Sequence, residues 1–167
     1  LYLSCKPAET AGADVADAQR ALLGQIVDGA QRWLPAELRP PQPWPEAPTL
    51  LLLLRALSAW ATVCPRPLVL LLDEIDTLYG DALRSVLAQL HTGYPERPRA
   101  APWSVVLCGL RDIKDYRETT GRDAERFHSA SPFNIKLASL RLGDFSEAEL
   151  RALYGQHSAA TGQPFTE

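Results

Sequence analysis

Apolar residues recur every three or four positions in three stretches of the chain, which is the spacing of one helix face. In the first stretch, Asp14 is placed to act as an N-cap and Pro35 to end the helix. The second stretch begins at Thr49, as a further N-cap, and ends at Pro65, and the third covers residues 78 to 90. The pattern therefore predicts three amphipathic helices.

Short apolar runs without this spacing lie between the predicted helices. Residues 68 to 72 and 104 to 108 are unbroken runs, which are typical of strands buried on both faces, as in parallel sheets. Residues 1 to 5 form another strand candidate, and residues 134 to 142 a mixed one. Because strands alternate with helices, the expected fold class is α/β with a mostly parallel sheet.

The sequence FSEAEL predicts the start of a fourth helix. Ser146 and Glu149 have the spacing of a capping box, and Gly162 is placed as the C-terminal cap. Two proline-rich segments, residues 39 to 45 and 95 to 102, interrupt the helical pattern and are predicted to be stiff loops. The first of them also has the composition of a polyproline ligand.

Composition sets limits on function. The chain has 167 residues, a net charge of -3 and a pI of about 5.6, so it lacks the basic surface on which nucleic-acid or anionic-membrane binding depends. No apolar run is long enough to span a bilayer. Cys5, Cys64 and Cys108 lack metal-binding spacing. Cys5 and Cys108 are expected to be buried free thiols, which favours a reducing, cytoplasmic location.

The stretch LVLLLDEID, residues 68 to 76, carries the main chemical signal. Asp73 and Glu74 follow a predicted strand directly, and ligands of open parallel sheets bind beyond the carboxyl ends of strands. Two adjacent acids at that place suit a magnesium ion, with Asp73 holding it through water. Glu74 is placed to deprotonate an attacking water. For Asp76 we expect a structural role instead, with either Asp76 or Thr77 as the N-cap of the next helix.

Residues 68 to 74 resemble the Walker B motif of P-loop ATPases, with the additional catalytic glutamate found in the AAA+ and STAND classes. The resemblance implies that Asp73 is the magnesium acid and Glu74 the catalytic base. It implies ATP and Mg²⁺ as cofactors, and a P-loop NTPase-like parallel sheet flanked by helices as the fold.

Residues 104 to 111 are similar to the strand that follows Walker B in these ATPases and carries a sensor near the γ-phosphate. By this resemblance Arg111 is the sensor, since a guanidinium suits phosphate oxygens. The alternative is a surface arginine that pairs with Asp112 or Asp115. The segment from residue 142 onward resembles the first helix of a small helical lid. The implied domains are an ATPase core over residues 1–142 and the start of the lid over residues 143–167.

The sequence G-x-x-x-x-G-K-[ST] of the phosphate-binding P-loop does not occur in the chain. The chain contains no methionine and opens within an apolar stretch. We therefore expect a fragment that begins at the second strand, inactive by itself, with the P-loop upstream. The expected partner is a nucleotide, with self-association or a partner protein left open.

Two other functions remain open at this stage. One is a non-enzymatic interaction domain on a degenerate ATPase fold. The other is a helicase-like NTPase, because residues 73 to 76 also fit a D-E-x-D box. The acidic pI and the lack of a Ser-Ala-Thr element after the box argue against the helicase.

Overall fold

A computed structural model of the chain describes residues 1–110 and 138–165. The chain divides into two units, Leu1–Lys136 and Leu137–Glu167. The described strands and helices of the first unit, in chain order, are β1 (Tyr2–Ser4), α1 (Val15–Trp33), α2 (Leu52–Val63), β2 (Val69–Asp73), α3 (Gly80–Gly93) and β3 (Ser104–Leu107). The second unit contains α4 (Glu147–Thr161).

The three described strands form one parallel sheet in the order β1-β2-β3. Tyr2 lies opposite Leu71, and Leu71 lies opposite Val106, while Ser4 lies opposite Asp73. The expected α/β class with a parallel sheet is therefore confirmed for the described part of the chain. Among these strands β2 is central, and β3 pairs only with β2.

One face of the sheet is buried and the other is largely open. Leu3 and Leu70 point into the core, which lies between the sheet and α1, α2 and α3. On the opposite face Tyr2 is 56% exposed, Val69 40% and Val106 42%. The prediction that the strands are buried on both faces is therefore wrong for β2 and β3 in this structure. In β2 the buried residues Leu70 and Leu72 alternate with residues that are exposed or half-buried, as a period of two produces. In β3 Val106 is exposed and the other residues are half-buried.

The predicted N-cap of the first helix is confirmed, but that of the second is wrong. Asp14 accepts a hydrogen bond of 2.9 Å from the backbone N–H of Asp17 at the start of α1. Thr49 lies instead in a 3₁₀ turn, Thr49–Leu51, and α2 begins after that turn, at Leu52.

Two buried glutamines, rather than Thr49, accept hydrogen bonds from backbone amides at the start of α2. The Oε1 atom of Gln19 accepts from the N–H of Leu53 at 3.1 Å, and that of Gln89 accepts from the N–H of Leu54 at 3.0 Å. The side-chain amides of both glutamines donate to Oγ of Ser85, each at 3.1 Å. The three helices of the core are thus joined by a satisfied polar network.

The third helix begins later than its apolar pattern indicates. Leu78 is fully buried but precedes α3, whose N-cap is Tyr79. Asp76 and Thr77 belong to a separate 3₁₀ turn, Ile75–Thr77, so the expectation that either residue caps the next helix is wrong.

The fourth helix has the ends that its sequence predicts. Ser146 and Glu149 form a capping box at the start of α4, and Gly162 caps its C-terminus with a φ of 75°. Residues 138 to 142 form no strand, which corrects the described part of the strand predicted over residues 134 to 142. The remainder of that prediction, residues 134 to 137, lies outside the described residues.

The first proline-rich segment is packed as a loop onto the core. Pro40 is buried, and Trp44 packs against the core cluster. The indole N–H of Trp60 donates to the carbonyl of Leu38 at 3.0 Å and fixes the start of the segment. Across residues 1–110 and 138–165, no helix has both the length and the apolar character needed to cross a bilayer.

Candidate functional site

The two predicted acids lie together at the carboxyl end of the central described strand. Asp73 is the last residue of β2, and Glu74 follows it directly. The turn after them is hydrogen-bonded to the residue that follows β3, because the N–H of Ile75 donates to the carbonyl of Cys108 at 2.9 Å. Both carboxylates are half-buried and are held at the end of the sheet where ligands of parallel sheets bind.

Each oxygen of the Asp73 carboxylate accepts one hydrogen bond. The hydroxyl of Tyr2 donates to Oδ2 at 2.8 Å, and the N–H of Glu74 donates to Oδ1 at 2.9 Å. Because a carboxylate offers about four lone-pair sites, each oxygen keeps capacity for a further ligand. The carboxylate is therefore oriented without being saturated.

The Glu74 side chain is directed towards the end of β1. The hydroxyl of Ser4 donates to Oε2 of Glu74 at 2.5 Å, and Nζ of Lys6 lies 3.9 Å from Oε1. Oγ of Ser4 in turn accepts from the N–H of Lys6 at 3.1 Å. The carboxylate of Glu74 thus has a neutral donor at one oxygen and a cation near the other.

Glu74 has a left-handed backbone conformation, with φ at 55° and ψ at 39°. It is the only non-glycine residue with positive φ in the described part of the chain. The carbonyl of Glu74 accepts from the N–H of Thr77 at 3.0 Å and from its hydroxyl at 2.8 Å. A non-glycine residue loses about 1–2 kcal/mol in this conformation. Such strain is concentrated at functional sites, where surrounding contacts fix it.

The third acid of the motif lies against the adjacent strand end. A Cβ atom added to Gly109 would stand 3.0 Å from Oδ1 of Asp76 and 3.1 Å from Cγ2 of Ile75. The absence of a side chain at Gly109 therefore permits the close approach of the turn to the end of β3. Arg111, the expected γ-phosphate sensor, lies outside the described residues.

The donor set suits a hydrated magnesium ion rather than an ion enclosed by protein ligands. Within the described residues, no group of three or more His, Cys, Asp or Glu side chains is arranged to hold a metal. Magnesium usually keeps several waters and takes only one or two carboxylates, with the rest of its shell from phosphate. A single oriented carboxylate such as Asp73, with free lone pairs, fits that requirement.

Two groups beside the acids have shifted pKa values. The pKa of Tyr2 is raised, first by its hydrogen bond to Asp73 and then by desolvation and the charges of Asp73 and Glu74. Burial, aided by the charge of Asp73, raises the pKa of the Cys5 thiol to about 12. Cys5 is fully buried, as predicted, whereas Cys108 is only partly buried. A neutral, buried thiol is a core residue rather than a nucleophile.

Sequence reasoning missed three residues of the site, namely Tyr2, Ser4 and Lys6. For Ser4 and Lys6 the available signal was their polar character at the end of an apolar strand, while Tyr2 lies at the start of that strand. Their partners, however, depend on the pairing of β1 with β2, about 70 residues later in the chain. A separate open cleft of about 290 Å³, lined by Val27, Gln31, Arg39, Pro40 and Gln42, shares no residue with the acidic site.

Comparison of the chain with protein-family models, with curated proteins and with solved structures found no match.

Proposed function

We propose that residues 1–167 carry the Walker B part of an ATP-hydrolysing domain of the AAA+/STAND kind. The observation that carries the proposal is the pair Asp73 and Glu74 at the carboxyl end of a central parallel strand, with Glu74 held in a left-handed backbone conformation. A hydrogen-bonded acid pair at this end of an α/β sheet, with a strained backbone at one of its two residues, is expected of a catalytic site.

The strand order supports the proposal. In the P-loop fold that the sequence resembles, the strand that precedes the P-loop pairs with the strand after Walker B. In this chain β3 follows the acids, and among the described strands it pairs only with β2. Its other edge is the place for such a strand. The apolar residues Val69 and Val106 on the open face would then be covered by the helix that follows the P-loop.

The proposed roles follow from the contacts of each acid. Asp73 is oriented by Tyr2 and by the N–H of Glu74, so that its unused lone pairs can take water molecules of a magnesium shell. Bound magnesium would neutralise phosphate charge. Glu74 would accept the proton of an attacking water. Since residues 1–167 contain no P-loop sequence, the phosphate cradle would be supplied by residues outside them.

A non-enzymatic interaction domain remains the second candidate. The observation that favours it is that both carboxylates already have partners within the chain, namely Tyr2 for Asp73, and Ser4 and Lys6 for Glu74. Such a network also stabilises a strand end without any ligand.

The full-length protein separates the two candidates. Glu74→Gln keeps the size of the side chain but removes the base. The variant is expected to bind ATP with magnesium and to hydrolyse it at least ~100-fold more slowly than wild type, which is the usual size of a general-base effect. Hydrolysis within about a factor of two of wild type would contradict the role of Glu74. A wild-type protein that binds no ATP would favour the interaction domain.

A further inference from the structure

Tyr2 contacts Asp73 diagonally across two strands. In the register of the sheet Tyr2 lies opposite Leu71, and it is Ser4 that lies opposite Asp73. Even so, the hydroxyl of Ser4 donates to Glu74, and the longer side chain of Tyr2 reaches Oδ2 of Asp73 at 2.8 Å. Each acid therefore has its own hydroxyl donor from β1.

The two hydrogen bonds to Asp73 differ in what they fix. The bond from the N–H of Glu74 to Oδ1 is local, because donor and acceptor belong to adjacent residues. The torsion of an aspartate carboxylate about its last bond is broad, so this single local bond leaves it considerable freedom. The bond from Tyr2 comes from another strand, and it fixes the carboxylate relative to the sheet.

We propose that Tyr2 is a positioning residue for Asp73, which it holds in the orientation that receives the hydrated magnesium ion. The proposal rests on the proposed function, in which Asp73 is the magnesium acid. A tyrosine hydroxyl that donates one hydrogen bond can still accept another, so Tyr2 also offers an acceptor to a magnesium-bound water. Partners that orient a metal-binding carboxylate typically change metal affinity about 10–100-fold when they are removed.

The first test is the magnesium dependence of nucleotide binding by the full-length protein. Tyr2→Phe removes only the hydroxyl from a side chain that is 56% exposed. A fluorescent, non-hydrolysable ATP analogue should bind this variant with wild-type affinity in EDTA. The magnesium concentration that half-saturates the tighter binding should rise about 10-fold, the lower end of the range for such partners.

A matched control is Tyr94→Phe. Tyr94 is 48% exposed and its ring lies under the guanidinium of Arg97, so its substitution removes a hydroxyl that the site does not use. This variant should keep the wild-type magnesium dependence. Circular dichroism checks that each variant is folded. If Tyr2→Phe does not fold, Tyr2→Leu takes its place, because it also lacks the hydroxyl.

A double variant tests whether Tyr2 acts through Asp73. In Asp73→Asn, magnesium should no longer tighten the binding of the analogue. Adding Tyr2→Phe to this variant should then leave the affinity for the analogue unchanged. If Tyr2→Phe weakens the analogue equally with and without magnesium, or still acts in the Asp73→Asn background, the positioning role is overturned. If Tyr2→Phe keeps the wild-type magnesium dependence of analogue binding while Asp73→Asn loses it, only the role of Tyr2 is overturned. A fully magnesium-dependent Asp73→Asn overturns the assignment of Asp73, and the role of Tyr2 with it.

Discussion

The hydroxyl of Ser4 donates a hydrogen bond of 2.5 Å to Oε2 of Glu74, a residue 70 positions later in the chain. This contact joins the end of β1 to the residue after β2, and Lys6 adds a cation 3.9 Å from the other carboxylate oxygen. The orientation of the proposed base is therefore set by the end of β1 and the turn that follows it.

We expect the Ser4–Glu74 contact to be measurable as a coupling free energy. Hydrogen bonds to charged groups contribute about 1.5–3 kcal/mol, and the partial exposure of this one places it near the lower end. Urea unfolding of Ser4→Ala, Glu74→Ala and the double variant of the full-length protein would give the coupling. Thr62→Ala combined with Glu74→Ala is the matched control, because Thr62 bonds only to the carbonyl of Ser58 within α2. Additive effects of Ser4→Ala and Glu74→Ala would contradict the prediction.

The left-handed backbone of Glu74 leads to a prediction about small residues at this position. Both Glu74→Gly and Glu74→Ala remove the carboxylate, but only glycine has a φ of 55° without a steric cost. We expect Glu74→Gly to be more stable than Glu74→Ala by about 1 kcal/mol, even though glycine gains more entropy on unfolding. Thermal unfolding of the two variants provides the comparison. Equal stability, or a more stable alanine variant, would indicate that the turn relaxes to another conformation.

A side chain at Gly109 is expected to crowd the turn after β2. The added Cβ of Gly109→Ala would stand 3.0 Å from Oδ1 of Asp76 and 3.1 Å from Cγ2 of Ile75, so these two side chains would have to shift by a few tenths of an ångström. A cost of about 1–3 kcal/mol is usual for such overpacking. In the control Gly24→Ala, within α1, the new Cβ meets nothing within 4 Å. That substitution should stabilise the helix by about 0.5–1 kcal/mol. Chemical denaturation of both variants tests whether the free energy of unfolding falls in Gly109→Ala and rises in Gly24→Ala.

Cys5 is expected to make the free energy of unfolding fall as the pH rises through the alkaline range. Its pKa is about 12 in the folded protein, compared with an ordinary value of 9.0. The unfolded chain therefore loses the thiol proton first as pH rises. The contribution of Cys5 is fully present below pH 9.0 and is lost progressively up to about pH 12. We expect this loss to approach about 1.4 kcal/mol per pH unit.

The measurement for Cys5 is the free energy of unfolding in urea at several pH values. Cys5→Ala should flatten the decline above pH 9.0 relative to wild type. Cys64→Ala, at a partly exposed cysteine, is the control and should leave the decline unchanged. A wild-type slope in Cys5→Ala would show that other groups cause it.

The parts of the fold that sequence predicted well are those with local signals. The bond from the N–H of Asp17 to Asp14, and the capping box of Ser146 and Glu149, join residues within one helical turn. Their geometry depends on the backbone of a few neighbouring residues. The position of Asp73 and Glu74 at a strand end was likewise predictable, because an apolar run followed by acids is contained in nine residues.

The rest depended on contacts between distant segments. Thr49 has the chemistry of an N-cap, yet glutamines 34 and 35 residues away in sequence serve the first amides of α2. The exposure of Val106 depends on which elements cover the second face of the sheet, and hydrophobicity alone does not specify this. The bond of Tyr2 to Asp73 needs the register of β1 against β2.

The two buried glutamines have a consequence for how this sequence can diverge. An apolar replacement at Gln19 or Gln89 would leave a backbone amide of α2 without an acceptor, and a glutamate would bring an uncompensated charge into the core. Asparagine is one methylene too short to span the same distance. Leu22, by contrast, can exchange with other aliphatic residues of similar volume at modest cost. Gln19 and Gln89 are therefore the core positions that tolerate substitution least, and they should vary least among descendants of the sequence.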